Sequence, residues 1–167
     1  LELGAGTGRI SIPMAVDGHH VVALDVHAGM LGHLRNKLAE LPVELEGSVR
    51  PMEADMREIP LDDGSCHLVI APFNALMHLY EWQDLLACFR EVHRVLGEGG
   101  CFAFDVLLPD LDWLMWDPDK RHSRTKFKHP RDGRKMIYTT NHTYDHASQV
   151  CDIRIFYEPS HPSARVR

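Results

Sequence analysis

The sequence predicts an α/β fold in which helices cover both faces of a parallel β-sheet. Short apolar segments alternate with amphipathic helical patterns along residues 1–107. Such alternation is typical of parallel sheets, because each parallel pair of strands needs a long crossover connection, usually a helix. At 167 residues, of which 44% are hydrophobic, the chain is long enough to bury one sizeable core.

Each predicted element begins and ends at an identifiable residue. The first strand ends at Leu3, and the first helix covers residues 9–17, with Pro13 in a first turn whose N–H groups have no helical partner. Gly18 ends that helix. The later elements are, in order, a strand at 21–24, a helix at 28–40, an edge strand at 49–52 that contains Pro51, an apolar strand at 66–71, a helix at 81–96 and a strand at 101–106.

Apolar residues at helical spacing predict which helix faces are buried. In the second helix the inward residues are Met30, Leu31, Leu34, Leu38 and Leu41, and in the third they are Leu85, Phe89, Val92 and Leu96.

The pattern changes after residue 107. An aromatic and acidic segment at 109–119 predicts a short helix that carries Trp113 and Trp116. Alternating residues at 126–128, 135–144 and 150–157 predict antiparallel strands, and 145–148 predicts the turn between the last two. We therefore expect two parts, residues 1–107 and 108–167. Because Leu1 lies midway through the first strand, the chain is expected to be a fragment truncated at its front.

A glycine-rich turn follows the first strand. Gly4, Gly6 and Gly8 occupy alternate positions just before the first helix. Glycine allows positive φ and close approach of another molecule, and N–H groups at the helix start favour an anion. The third glycine of the dinucleotide fingerprint would fall at position 9, which is Arg9 here.

A second feature indicates an adenosine ligand. Asp25 ends the second apolar strand, 21 residues after Gly4. An acid at this position commonly accepts hydrogen bonds from ribose hydroxyls. Enzymes that use nicotinamide cofactors share this geometry, and the alternative role for Asp25 is to cap the second helix.

Four segments, taken in order, resemble the class I S-adenosylmethionine-dependent methyltransferases: residues 2–8, 24–25, 54–56 and 71–74, joined by residues 89–100 before the fifth strand. The resemblance implies a Rossmann-like, doubly wound sheet with strand order 3-2-1-4-5. It also implies a small antiparallel β cover inserted after strand five, and S-adenosylmethionine as the cofactor. Two last strands typical of the family do not occur, so truncation is expected at the back as well.

The resemblance also places the methyl donor residue by residue. Glu2 would lie near the methionine ammonium, and the backbone of Gly4, Ala5 and Gly6 would lie against the methionine part. Asp25 would bind the ribose hydroxyls, and Met30 would pack on the adenine. Asp55 would accept from the adenine amino group, the Met56 N–H would meet a ring nitrogen, the Ala71 carbonyl would lie near the methionine amino group, and Val26 would be a further cofactor-binding residue. The alternatives are a solvated acid for Glu2, a loop cap for Asp55 and a core position for Met30.

Methyl transfer mainly requires that the acceptor atom be held in line with the methyl group. An acceptor hydroxyl also needs a general base. Candidates on the acceptor side are Asn74, His78, Tyr80 and Asp105. Residues 71–74 differ from the N-P-P-Y/F motif of the family members that methylate DNA bases or protein amides, which favours a small-molecule acceptor with an N or O nucleophile. The rivals are an NAD(P)-dependent oxidoreductase, which Arg9 disfavours, and a non-catalytic binding subunit.

Charge and composition restrict the partners. The net charge is −6 and the pI is near 6.0, which predicts neither a nucleic-acid nor a membrane partner. Residues 120–135 nevertheless contain eight Lys or Arg and one Asp. We expect these residues to be solvated at strand edges. The alternative is that they attract an anionic or phosphorylated substrate, or RNA. Four cysteines without paired spacing predict reduced thiols and a cytoplasmic protein. No metal site is expected, and a homodimer is left open.

Overall fold

The computed structural model describes residues 1–42 and 44–160, with only the backbone of Ser123. Contacts divide the chain into two compact units, Leu1–Leu107 and a second that begins at Leu108. None of the described helices is long and apolar enough to cross a membrane.

The first unit is a five-stranded parallel sheet with helices between its strands. The sheet order is β3-β2-β1-β4-β5, which confirms the predicted fold and strand order. Its elements are β1 (Glu2–Leu3), α1 (Ser11–Val16), β2 (His20–Asp25), α2 (Ala28–Ala39), β3 (Ser48–Glu53), β4 (Cys66–Ala71), a 3₁₀ turn (Ala75–His78), α3 (Trp82–Val95) and β5 (Leu96–Phe104).

Two core clusters lie on opposite faces of this sheet. Ala23 and Leu24 are neighbours in β2 and therefore point to opposite sides. Ala23 belongs to a cluster with Leu31 and Leu34 of α2, whereas Leu24 belongs to a larger cluster with Val92 of α3. Helices thus cover both faces, as the alternation of strands and helices predicts.

The buried stripe of α3 differs from the prediction. Its buried residues are Cys88, Val92 and Val95. Phe89 is 37% exposed and packs edge-on against Phe102, with ring centroids 6.0 Å apart. Val92 is buried as predicted, and Leu85 and Leu96 are partly buried against the same core cluster.

Strand β5 begins earlier than predicted. Leu96 pairs with Cys66, and Cys101 pairs with Leu68, so β5 has extra residues between these two pairs. Gly99 has a φ of +73°, which lets the backbone bulge and return to the ladder. The expected start at residue 101 was wrong because the glycine segment that ends α3 also starts the strand.

The second unit contains a three-stranded antiparallel sheet of order β6-β7-β8, as predicted. Its elements are α4 (Leu111–Leu114), β6 (His122–Lys128), β7 (Lys135–Asp145) and β8 (Val150–Pro159). His142 stacks on Trp113 with ring centroids 4.0 Å apart, and its Nε2 donates to the Trp113 carbonyl oxygen at 2.7 Å. His142 therefore links α4 to β7 through one stacking contact and one hydrogen bond. Within the described ranges no three His, Cys, Asp or Glu side chains gather as metal ligands would.

Candidate functional site

The glycine turn between β1 and α1 needs its glycines. Gly4, Gly6 and Gly8 have φ values of +68°, +57° and +78°. A Cβ built on Gly4 would lie 3.0 Å from the Cβ of Ala75, and one on Gly8 would overlap the side chain of Leu34. The turn is therefore confined between the segment after β4 and helix α2, and larger residues would not fit.

Asp25 closes this turn. It is 9% exposed at the end of β2. Its Oδ2 accepts from the Gly6 N–H at 2.7 Å, and its Oδ1 accepts from the His27 N–H at 2.8 Å. The anion expected at the turn is thus the chain's own carboxylate. Asp25 does not cap α2, since His27 is the N-cap and its Nδ1 accepts from the Met30 N–H at 3.3 Å.

Glu2 is buried beneath the same turn. It is 2% exposed, and the Ser11 hydroxyl donates to its Oε2. Burial raises the pKa of Glu2, and the hydrogen bonds from Ser11 oppose that shift. The alternative of a solvated acid is therefore wrong. A buried carboxylate of this kind is stabilised by a cation placed next to it.

Asp55 lies close to Asp25, but its carboxylate is already engaged. The Ala54 N–H donates to the Asp25 carbonyl oxygen at 3.2 Å, which brings residues 54–56 to the end of β2. Arg57 donates to Asp55 from its backbone N–H at 2.8 Å, from Nε at 3.0 Å and from Nη2 at 2.6 Å. These bonds lower the pKa of Asp55. The loop-cap alternative agrees with the bond from the Arg57 N–H.

The apolar residues assigned to the donor differ in exposure. Val26 is 71% and Met30 is 40% exposed, whereas Met56 packs against the core. The inward orientation expected for Met30 was wrong. Its Cε lies 3.4 Å from the point where a Cβ on Gly6 would be, so the side chain covers the glycine turn.

The segment after β4 brings together two of the four acceptor-side candidates. Ala71 is fully buried, and Asp105 accepts from the N–H groups of Phe73 at 2.7 Å and Asn74 at 3.1 Å. The Asn74 Oδ1 is buried and has no hydrogen-bond partner in residues 1–42 and 44–160. His78 and Tyr80 follow as exposed residues.

Three contacts at the site escaped sequence reasoning. Arg57 holds Asp55, and Lys37 donates from Nζ to the carbonyl oxygen of Thr7 at 3.0 Å and to its hydroxyl at 2.9 Å. The Arg9 guanidinium lies 3.1 Å from the ring centroid of Phe73. Only Arg57 had a usable signal, because a residue two positions after an Asp often donates its N–H to that carboxylate.

A family model described as Methyltransferase domain matches residues 1–100, more than half of the chain. The matched segment contains the glycine turn, Asp25, Asp55 and the turn after β4. The chain belongs to the class I S-adenosylmethionine-dependent methyltransferases. Membership in this family sets aside the oxidoreductase alternative.

Known methyltransferases resemble this methyltransferase chain in sequence and in fold. The demethylmenaquinone methyltransferase of Chlorobaculum tepidum is 32% identical over 111 residues, which are 65% of this chain and 41% of that protein. The CcbJ methyltransferase from Streptomyces caelestis matches 94% of this chain and 63% of its own, with a TM-score of 0.72 and 24% identity. The glycopeptide N-methyltransferase MtfA, complexed with S-adenosylmethionine, matches 95% of this chain and 64% of its own, with a TM-score of 0.59 and 20% identity.

At such identities the solved structures show the fold alone. The methyltransferase chain spans about half or less of the length of the curated relatives that it matches.

Proposed function

We propose that this chain carries the donor-binding part of an enzyme that methylates an amine or a hydroxyl of a small molecule. The observation that carries the proposal is Asp25, a nearly buried carboxylate that accepts from the Gly6 N–H at the glycine turn. A carboxylate has about four acceptor positions, and Asp25 uses two of them on backbone N–H groups. The others are available to the two hydroxyls of a ribose.

The residues around Asp25 suit the rest of S-adenosylmethionine. Glu2 is a buried acid with a raised pKa, which an ammonium group would stabilise in its charged form. Asn74 has a buried side-chain oxygen without a donor among the described residues, and a ligand N–H would satisfy it. We assign the remaining donor contacts to Gly4, Ala5, Gly6, Val26, Met30, Asp55, Met56 and Ala71. In this assignment Asp55 accepts a hydrogen bond from the adenine amino group while it keeps its hydrogen bonds to Arg57.

When bound, S-adenosylmethionine supplies a methyl group on a sulfonium, which is a good leaving group. The chain's own residues then have to hold and orient the two reactants. Asp105 accepts one backbone N–H of the turn after β4 on each carboxylate oxygen, so we assign it to that turn and not to the acceptor. We keep His78 and Tyr80, both exposed, as the residues that would contact the acceptor.

A small acceptor is supported by residues 71–74, which lack the motif of base-methylating and amide-methylating relatives. MtfA, whose fold this chain shares, is a glycopeptide N-methyltransferase, which supports an amine as one acceptor class.

Thermal unfolding with S-adenosylhomocysteine, and separately with NADH, tests the cofactor. A ligand at about 100 times its Kd stabilises the native state by ~2.7 kcal/mol. We expect a rise in unfolding temperature with S-adenosylhomocysteine and none with NADH. Absence of a shift with S-adenosylhomocysteine in the full-length protein would contradict the proposal and favour a non-catalytic subunit.

We further propose that a basic groove in the second unit binds a small anionic ligand. The groove is defined by Arg124, Lys126, Lys128 and Lys135, and its cavity has a volume of about 620 Å³. Three other basic residues of the 120–135 segment already have acidic partners: Lys120, Arg121 and Arg134. The four groove residues form no ion pair within the described part of the chain.

The register of the sheet brings two lysines of the groove together, and their repulsion destabilises the sheet when no anion is bound. Lys126 and Lys128 lie two positions apart in the regular part of β6, so they share one face of the strand. Lys128 pairs directly with Lys135 of β7. Like charges directly opposite each other in a sheet are destabilising, and a phosphate placed between them would remove the repulsion.

Binding of inorganic pyrophosphate, measured by calorimetry at low and high salt, tests the groove. The double substitution Lys126→Gln with Lys128→Gln should weaken binding about 2- to 30-fold, since each exposed ion pair contributes ~0.2–1 kcal/mol. Arg131→Gln, which changes an exposed basic residue outside the groove, is the matched control. An equal loss in the control, or tighter binding of an RNA oligonucleotide than of pyrophosphate, would contradict a small anionic ligand. The homodimer and the cytoplasmic location stay predictions.

A further inference from the structure

The turn after β4 has an unusual backbone. Phe73 and Asn74 are consecutive residues with φ values of +57° and +59°. Asn adopts this left-handed conformation fairly often, but a bulky residue such as Phe rarely does. Two such residues in a row persist only where their surroundings hold them.

Asp105 supplies part of that support. It follows β5 directly, and β5 pairs with β4 through Ala71 and Phe104. The Asp105 carboxylate can therefore reach the neighbouring loop, where Oδ1 accepts from Phe73 and Oδ2 from Asn74. Each oxygen holds one of the two consecutive N–H groups, and hydrogen bonds to a charged acceptor are the stronger kind.

Two further contacts join this turn to the glycine turn. The Arg9 guanidinium lies over the ring of Phe73, in a geometry typical of cation–π attraction. Gly4 approaches Ala75 so closely that an added Cβ would come within 3.0 Å of the Ala75 Cβ. Arg9 occupies the position of the third glycine in the dinucleotide fingerprint, and its side chain is what reaches Phe73.

We propose that Asp105 is a positioning residue for the donor site and not a general base. Its carboxylate holds the Phe73–Asn74 turn, whose Phe73 ring also contacts Arg9. It thereby presents, at the end of β4, the Asn74 Oδ1, which has no hydrogen-bond partner among the described residues. This inference rests on the proposed function for its ligand, while the backbone arrangement stands independently of it.

The substitution Asp105→Asn tests the proposal. An amide offers one acceptor oxygen and places an NH₂ group against the second backbone N–H. We expect two effects in the folded variant: faster hydrogen exchange of the Phe73 and Asn74 amides by NMR, and a Kd for S-adenosylhomocysteine raised about 2- to 30-fold, the range for residues that act on a ligand indirectly. Glu98→Gln, at an exposed position of β5, is the matched control and should change neither.

The readouts separate the alternatives. A general base for the acceptor would leave the affinity for S-adenosylhomocysteine unchanged in Asp105→Asn, and that result would overturn the proposal. A residue that only stabilises the fold would lower the unfolding temperature and leave the Kd of the folded protein unchanged, which would also overturn it. If the variant does not fold, slow exchange of the Phe73 and Asn74 amides in the wild type supports the arrangement, and exchange as fast as at Tyr80 overturns it. Failure of the wild type to bind S-adenosylhomocysteine would instead contradict the proposed function.

Discussion

Replacing Asp25 with Asn is the sharpest test of the donor site, because the change keeps the shape of the side chain and removes its charge. In the wild type, Asp25 accepts from the N–H groups of Gly6 and His27 at 2.7 and 2.8 Å. Asn has a single acceptor oxygen, so one of these N–H groups loses its partner. A buried donor left in this way costs ~1–3 kcal/mol of folding free energy.

The loss of ligand affinity follows from the proposed ribose contacts. Hydrogen bonds to a charged group contribute roughly 1.5–3 kcal/mol each, so the loss of one raises the Kd about 10- to 150-fold. With S-adenosylhomocysteine at 100 times the wild-type Kd, the wild type gains ~2.7 kcal/mol. A variant with a hundredfold higher Kd gains only ~0.4 kcal/mol.

The assay is thermal unfolding with and without this ligand. For a protein of this size, 1 kcal/mol corresponds to about 2–4 °C. We therefore expect a ligand shift of roughly 5–11 °C in the wild type and roughly 1–2 °C in Asp25→Asn. Glu53→Gln is the matched control, since Glu53 pairs with Asp25 in the sheet and is exposed. A wild-type shift in Asp25→Asn would refute the ribose assignment.

Three further predictions follow from the same region and its core. Gly8→Ala should destabilise the fold by roughly 2–5 kcal/mol in urea unfolding, from left-handed strain and overlap with Leu34, and a loss below ~1 kcal/mol would contradict the packing. Because burial raises the pKa of Glu2 above its ordinary 4.5, the native state binds the extra proton, so wild-type stability should fall as pH rises from 4.5 through the raised pKa. Glu2→Gln should lack that part of the fall, and parallel curves would count against a buried acid. Burial raises the pKa of Cys88 to about 11, so iodoacetamide at pH 8 followed by peptide mapping should label the exposed Cys101 and spare Cys88; equal labelling would be the contrary result.

The sequence alone determined those features that depend on local spacing. Gly4, Gly6 and Gly8 recur at alternate positions because each must adopt positive φ, and that requirement is visible in ten residues. Asp25 was predictable because a strand that ends in an acid places its side chain at the sheet edge whatever the rest of the chain does. The order of the five strands followed from the family resemblance and was confirmed.

Tertiary structure alone decided which groups those residues contact. The partners of Asp105 lie more than thirty positions away, and nothing local indicates that its carboxylate holds two backbone N–H groups. The same applies to Arg9, which reaches Phe73 only because neighbouring strands bring the two turns together. Local periodicity indicates only approximately which face of an element is buried, as Phe89 of α3 shows. The hydrogen bonds of a loop depend on all the groups that folding brings within reach. The sequence therefore predicts the residues of the proposed donor site, and the fold decides which hydrogen bonds their polar groups make.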